Sequence, residues 1–88
     1  MKITETAQFR KSFKKLDNKL QKRTKKQFKL FLNNLFHPSL NTEKLEPKNN
    51  NIWSFRIDKS NRVIFTFSED ETILLLDIGP HDIYRKKT

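Results

Sequence analysis

Apolar positions follow two different periods along this chain, and the switch between them outlines its architecture. Phe9, Phe13, Leu16 and Leu20 recur at steps of 4, 3 and 4, which places them on one stripe of an α-helix. Thr6 stands before that stripe as a helix N-cap. Asp17 and Asn18 then interrupt it, both being residues that favour caps and turns. Asn18 with Gln21 fits a capping box that opens a second helix. That helix carries Leu20, Phe28, Phe31, Leu32 and Leu35 and ends before Pro38. The two helices are expected to form an antiparallel hairpin, apolar stripes on a sheet and lysines outward. One unbroken helix of about 30 residues is the alternative, disfavoured because helices average nearer 12.

From residue 52 onward the period becomes two. Trp53, Phe55 and Ile57 alternate with Ser54, Arg56 and Asp58, and Val63, Phe65 and Phe67 alternate with Arg62, Ile64 and Thr66. Each run therefore offers one apolar face and one face bearing an arginine. A third run, residues 73–78, is nearly all apolar, as expected of a strand flanked on both sides, and stops at Gly79 and Pro80. The polar clusters 58–61 and 68–72 read as hairpin turns, so the three runs form an antiparallel meander. Residues 1–4 add a short strand anchored by Ile3. Residues 37–51 hold two prolines and four asparagines and read as a loop, with Leu40 and Leu45 pinning it to the core. The expected fold is α+β, in the order β-α-α-β-β-β. The helical hairpin packs on one face of a small, mainly antiparallel sheet, and the other face, with Arg56 and Arg62, is left open.

Charge sharpens this picture. Residues 10–29 contain ten basic side chains against one acid, Asp17, which accounts for the whole net charge of +9. The rest of the chain balances to zero. A field this one-sided favours a polyanion or an acidic protein partner, although a lysine-rich helix face also serves as solvated surface. Eighty-eight residues suit one domain, residues 1–88. There is no cysteine, which excludes a disulfide scaffold, a thiol nucleophile and a Cys-ligated metal. The start lacks the apolar core of a signal peptide and no apolar run approaches 20 residues, so a soluble, cytoplasmic protein with no membrane contact is expected. A single glycine leaves no room for a Gly-rich phosphate loop, and no nucleotide or other small-molecule cofactor is expected. His37 and His81 stand far apart and no carboxylates cluster usefully, so no metal is expected either.

Gly79 and Pro80 are followed at once by His81, Asp82, Tyr84 and Arg85. A basic sheet face ending in this cluster is the candidate site. Trp53 and the eight phenylalanines invite comparison with base-stacking platforms, but their helical and strand spacing assigns most of them to the core. His37, before a proline at a helix end, reads as structural.

At this point the chain resembles the RelE/ParE superfamily of type II toxins, and most of all the RelE- and YafQ-like mRNA endonucleases. The likeness covers nearly the whole length. It rests on FRKSFKKLDNKLQKR, HPSLNTEKLE, WSFRIDKSNRVIF and LLLDIGPHDIYR, taken in that order. The resemblance implies a toxin that enters the ribosomal A site, cuts mRNA and is neutralised by a cognate antitoxin. Arg56 and Arg62 sit where family members place basic or catalytic groups on the open sheet face. His81 matches the late histidine of YafQ-like enzymes, and Tyr84 falls near the C-terminal aromatic of the family site. Such enzymes carry more histidines, and Arg56 stands where they have one on the sheet.

RNA cleavage without a metal needs a base for the 2′-hydroxyl, cations for the phosphorane-like transition state and an acid for the 5′-oxygen. His81 suits acid and base work, having an ordinary pKa near 6.5. Arg56 and Arg62 would hold the phosphate, against a plainer reading in which Arg56 pairs with Asp77. Tyr84 would stack on a base or donate a proton. Arg85 would touch the RNA backbone, with Lys44 and Lys48 from the loop. Lys14, Lys15 and Lys22 of the helices would grip ribosomal RNA or an acidic antitoxin segment. The same scaffold also supports a ParE-like gyrase inhibitor or an inactive binding module.

Overall fold

The computed structural model describes residues 2–80. Strand β1 (Lys2–Glu5) leads into helix α1 (Ala7–Lys14) and helix α2 (Asn18–Asn33), followed by the short strand β2 (Glu43–Lys44) and the meander β3 (Ile52–Arg56), β4 (Asn61–Ser68) and β5 (Thr72–Pro80). The sheet runs β1-β5-β4-β3-β2, with β1 parallel to β5 and every other neighbour antiparallel. This is the expected α+β order of strand, helical pair and meander, with β2 as an added edge.

The caps explain where the helices begin. Thr6 Oγ1 accepts from the Phe9 N–H and donates to the Leu75 carbonyl, so one hydroxyl starts α1 and ties it to β5. For α2 the expected cap moves by one residue: Asp17, not Asn18, accepts from the Leu20 N–H at 2.8 Å. A carboxylate is the better partner for the positive end of a helix. Gln21 is then one position too far along to close a capping box, and its Nε2 donates instead to the Phe13 and Leu16 carbonyls at the end of α1.

The core is an aromatic stack between α2 and the sheet. Phe31 lies parallel to Phe55 at 4.4 Å and edge-on to Phe65 at 5.1 Å, while Phe28 meets Phe55 edge-on at 5.4 Å. The odd-numbered residues of β3 and β4 therefore face the helices, and the even-numbered ones face away. Leu32 departs from the sequence reading, being 64% exposed. Phe31 takes the core position, and the next residue on a helix points about 100° away from it. The loop before β3 also holds more structure than expected. Two 3-10 turns, Pro38–Leu40 and Lys48–Asn50, flank β2, which pairs with the edge of β3 through Glu43 and Ser54. Leu40 is fully buried, as the pinning role requires. His37 keeps the structural role read from sequence, its Nδ1 accepting from the Ser39 N–H at the first of these turns.

A bulge shifts the register of β4 on β5. Ile64 pairs with Asp77 and Phe65 with Leu75, leaving Leu76 as the extra residue. Buried Asp77 accepts a 2.6 Å hydrogen bond from Ser12 of α1. Among the described residues, no helix is long and apolar enough to cross a membrane.

Candidate nucleic-acid interface

Arg56 and Arg62 are direct cross-strand partners, so both side chains leave the sheet on the face opposite the helices. Two like charges in that position repel each other, and the sheet answers by treating them differently. Arg62 is held in place. Its Nε donates to Ser54 Oγ at 2.7 Å, one terminal nitrogen donates to the Asn41 carbonyl at 2.8 Å, and the same nitrogen lies 3.6 Å from Glu43. Only 11% of its side chain is exposed. Burial draws its pKa below the ordinary arginine value, Glu43 pulls it back up and Arg56 pushes it further down. The guanidinium stays charged at any physiological pH.

Arg56 is the opposite case. It is exposed, and among the described residues no side chain forms an ion pair or hydrogen bond with its guanidinium. The alternative pairing with Asp77 is not formed. The backbone beneath Arg56 is nonetheless fixed from the helix side. Gln27 Nε2 donates to the Arg56 carbonyl and Arg23 Nε to the Ile57 carbonyl, each at 3.0 Å. Gln27 is buried, and this bond satisfies it. The exposed arginine thus rises from a backbone that α2 holds still.

The turn below the pair is closed by Asp58, whose Oδ1 accepts from the N–H groups of Ser60 and Asn61 at 2.8 Å each. Burial alone would raise its pKa, but these bonds, the Asn61 side chain and nearby Arg23 hold it below the usual carboxylate range. Strand β5 ends at the same edge of the sheet, Gly79 facing Arg62 and Pro80 facing Asn61. His81, Tyr84 and Arg85 lie outside the described residues.

The remaining sequence candidates scatter. Lys44 Nζ sits 5.9 Å from the centre of the Trp53 ring, a cation–π contact that steadies β2 on β3. Lys48 is exposed in its 3-10 turn. Lys14 and Lys15 are exposed at the C-terminal end of α1, where positive charge suits the helix dipole. These last two belong to the helix layer, across the sheet from the arginines. Lys22 lines a cleft beside Asn61. The sequence reading missed the residues that hold Arg62. Ser54 had a weak signal, a small polar residue on the arginine face. Asn41 and Glu43 had none, since only the fold brings the loop to the sheet. Among the described residues, no three histidine or carboxylate side chains group as metal ligands would.

Residues 3–83 match the family profile of the "ParE toxin of type II toxin-antitoxin system, parDE". The chain belongs to this family. It is a toxin of the type II toxin-antitoxin class, with the RelE/ParE fold. No curated protein matches it in sequence. Solved structures share its fold at low identity. The YoeB/ParE toxin from Agrobacterium tumefaciens superposes with a TM-score of 0.75 at 16% identity, covering 92% of this chain and 99% of the other. The YoeB–YefM toxin–antitoxin heterotetramer from Staphylococcus aureus gives 0.71 at 24% identity, covering 92% and 97%. The E. coli DinJ–YafQ toxin–antitoxin complex gives 0.73 at 15% identity, covering 92% of each chain.

Proposed function

We propose that this toxin is a ribosome-dependent mRNA endonuclease that needs no metal, acts in the cytoplasm on mRNA in the A site and is held in check by a cognate antitoxin. The observation that carries the reading is the cross-strand arginine pair, one guanidinium exposed and one fixed behind it, beside the strand end from which His81 follows. Among the described residues Glu43 meets only Arg62, which leaves the charge of Arg56 without an anion, and a scissile phosphate is the anion that would relieve the like-charged pair. In the step itself the 2′-oxygen bonds to phosphorus as its proton passes to a base. The bond from phosphorus to the 5′-oxygen then breaks as that oxygen takes a proton. Arg56 meets the phosphate, and Arg62 adds positive charge from a fixed position as the phosphorane forms. His81 supplies acid and base chemistry and Tyr84 a stacking surface, both roles resting on the sequence. An antitoxin partner is supported by the fold neighbours solved with YefM and DinJ.

The test is primer extension on mRNA bound to ribosomes, using the purified toxin. Discrete cuts are expected, with Arg56→Ala and His81→Ala each lowering the rate by about 10²–10³-fold. The ParE description of the matching family favours a second reading, inhibition of DNA gyrase. Intact mRNA together with gyrase-dependent DNA breaks would establish that reading in place of the first.

A further inference from the structure

We infer that the cleft between the first half of α2 and the β3–β4 turn is a binding track for the phosphate backbone of single-stranded RNA. It deepens the endonuclease reading and rests on it for the identity of the substrate. The cleft encloses about 640 Å³ and is lined on its helix side by Lys19, Lys22, Arg23 and Lys26. These residues fall at i, i+3, i+4 and i+7, one continuous stripe about 10 Å long at 1.5 Å per residue. All four are exposed; Arg23 is engaged by the Ile57 carbonyl and by the charge of Asp58, while the three lysines form no ion pair with a described carboxylate. Like charges at this spacing destabilise a helix unless something outside it neutralises them.

Two carboxylates also line the cleft; both keep their negative charge, and both are held by backbone amides. Asp17 caps α2 through the Leu20 N–H, and Asp58 is taken up by the amides of Ser60 and Asn61. The turn side of the cleft is reached through Asn61, whose neighbour Arg62 stands opposite Arg56. The helix stripe and the arginine pair thus lie on either side of the β3–β4 turn. A strand lying across Arg56 would pass the turn to reach the lysine stripe, where the four cations of the lining outnumber its two carboxylates.

The lining also distinguishes RNA from an acidic protein. Protein partners draw their affinity from apolar anchors at a desolvated centre, and among the described residues Leu20 is the one apolar residue here. A phosphate backbone needs only cations in a row, because its affinity comes from counterion release. Among the described residues, the exposed large apolar side chains, Leu32 and Phe36, do not line this cleft.

The test measures binding of a fluorescent single-stranded RNA dodecamer to the purified full-length toxin across a salt series. The triple variant Lys19→Glu/Lys22→Glu/Lys26→Glu should bind at least tenfold more weakly, and its log–log salt slope should fall by about 2, near 0.7 for each lost phosphate contact. A control with the same change in net charge, Lys11→Glu/Lys25→Glu/Lys29→Glu, should lose less than threefold. Circular dichroism melts establish that both variants fold. Should one fail, the single variants Lys22→Gln and Lys25→Gln repeat the comparison, and only Lys22→Gln should weaken binding. Equal losses in the two sets would overturn the track in favour of net charge. A polyglutamate dodecamer that binds the toxin tighter than the RNA, and displaces it, would assign the cleft to an acidic protein. If RNA binds as described but mRNA on ribosomes stays intact, the track stands and the endonuclease reading fails.

Discussion

The two ends of β4 are closed by turns of similar length, and they are built in opposite ways. At the Asn61 end the Asp58 carboxylate organises the turn, and α2 holds the carbonyls of Arg56 and Ile57 through Gln27 and Arg23. At the Ser68 end the turn is Glu69-Asp70-Glu71, three acids without a glycine. Asp70 and Glu71 take the left-handed conformation, with φ of 66° and 57°, which aspartate tolerates and the longer glutamate does not favour. One end is therefore basic and fixed from two sides, while the other is acidic and locally strained. Long polar side chains of α2 serve the arginine end. That is the investment expected where a charged group must keep its position.

Breaking the fixed end should have the largest effect. Gln27→Ala removes the donor to the Arg56 carbonyl from a buried site and should cost about 1–3 kcal/mol, read as a lower urea midpoint. If the backbone positions Arg56, the same variant should slow cleavage beyond what the loss of folded protein explains. Gln27→Met, which keeps the length but loses the donor, should behave alike. Relieving the strained end should act the other way and less. Glu71→Gly should raise stability by up to about 1 kcal/mol and leave cleavage unchanged, since that turn lies at the far end of β4.

The smallest effect comes from pH. Asp58 has a folded pKa below its ordinary value of 3.8, because its hydrogen bonds and Arg23 outweigh the opposing effect of burial. Its stabilisation is therefore complete above the unfolded value and is lost as pH falls through the folded one. Acid titration should show a shallow loss of stability below about pH 3.8, and Asp58→Asn should flatten it. The carboxylate is largely solvated, so the change is modest. A comparable slope left in Asp58→Asn would mean that other carboxylates carry the acid response.

Much of the fold was legible because its signals are local. The alternation in β3 and β4 placed Arg56 and Arg62 on the face away from the helices, and Thr6 marked the start of α1. The errors were local as well. Leu32 was drawn into the apolar stripe by its chemistry, and Asn18 was preferred as a cap over the charged Asp17 beside it. The site was half legible. That two arginines share a face follows from strand period alone. That one is held and the other exposed does not, because the difference comes from Asn41 and Glu43, and no pattern near Arg62 announces them.

The sequence by itself determined the element order, the faces of the strands and the concentration of charge on the helices, since each depends on period, cap chemistry and composition. Tertiary structure decided the rest. It set β1 parallel to β5, folded the loop into an edge strand and brought Asn41 to Arg62 across 21 residues. It also laid the lysine stripe beside the turn below the arginines. Contacts between segments distant in sequence exist only once packing has closed the chain between them, and local pattern carries no record of that closure.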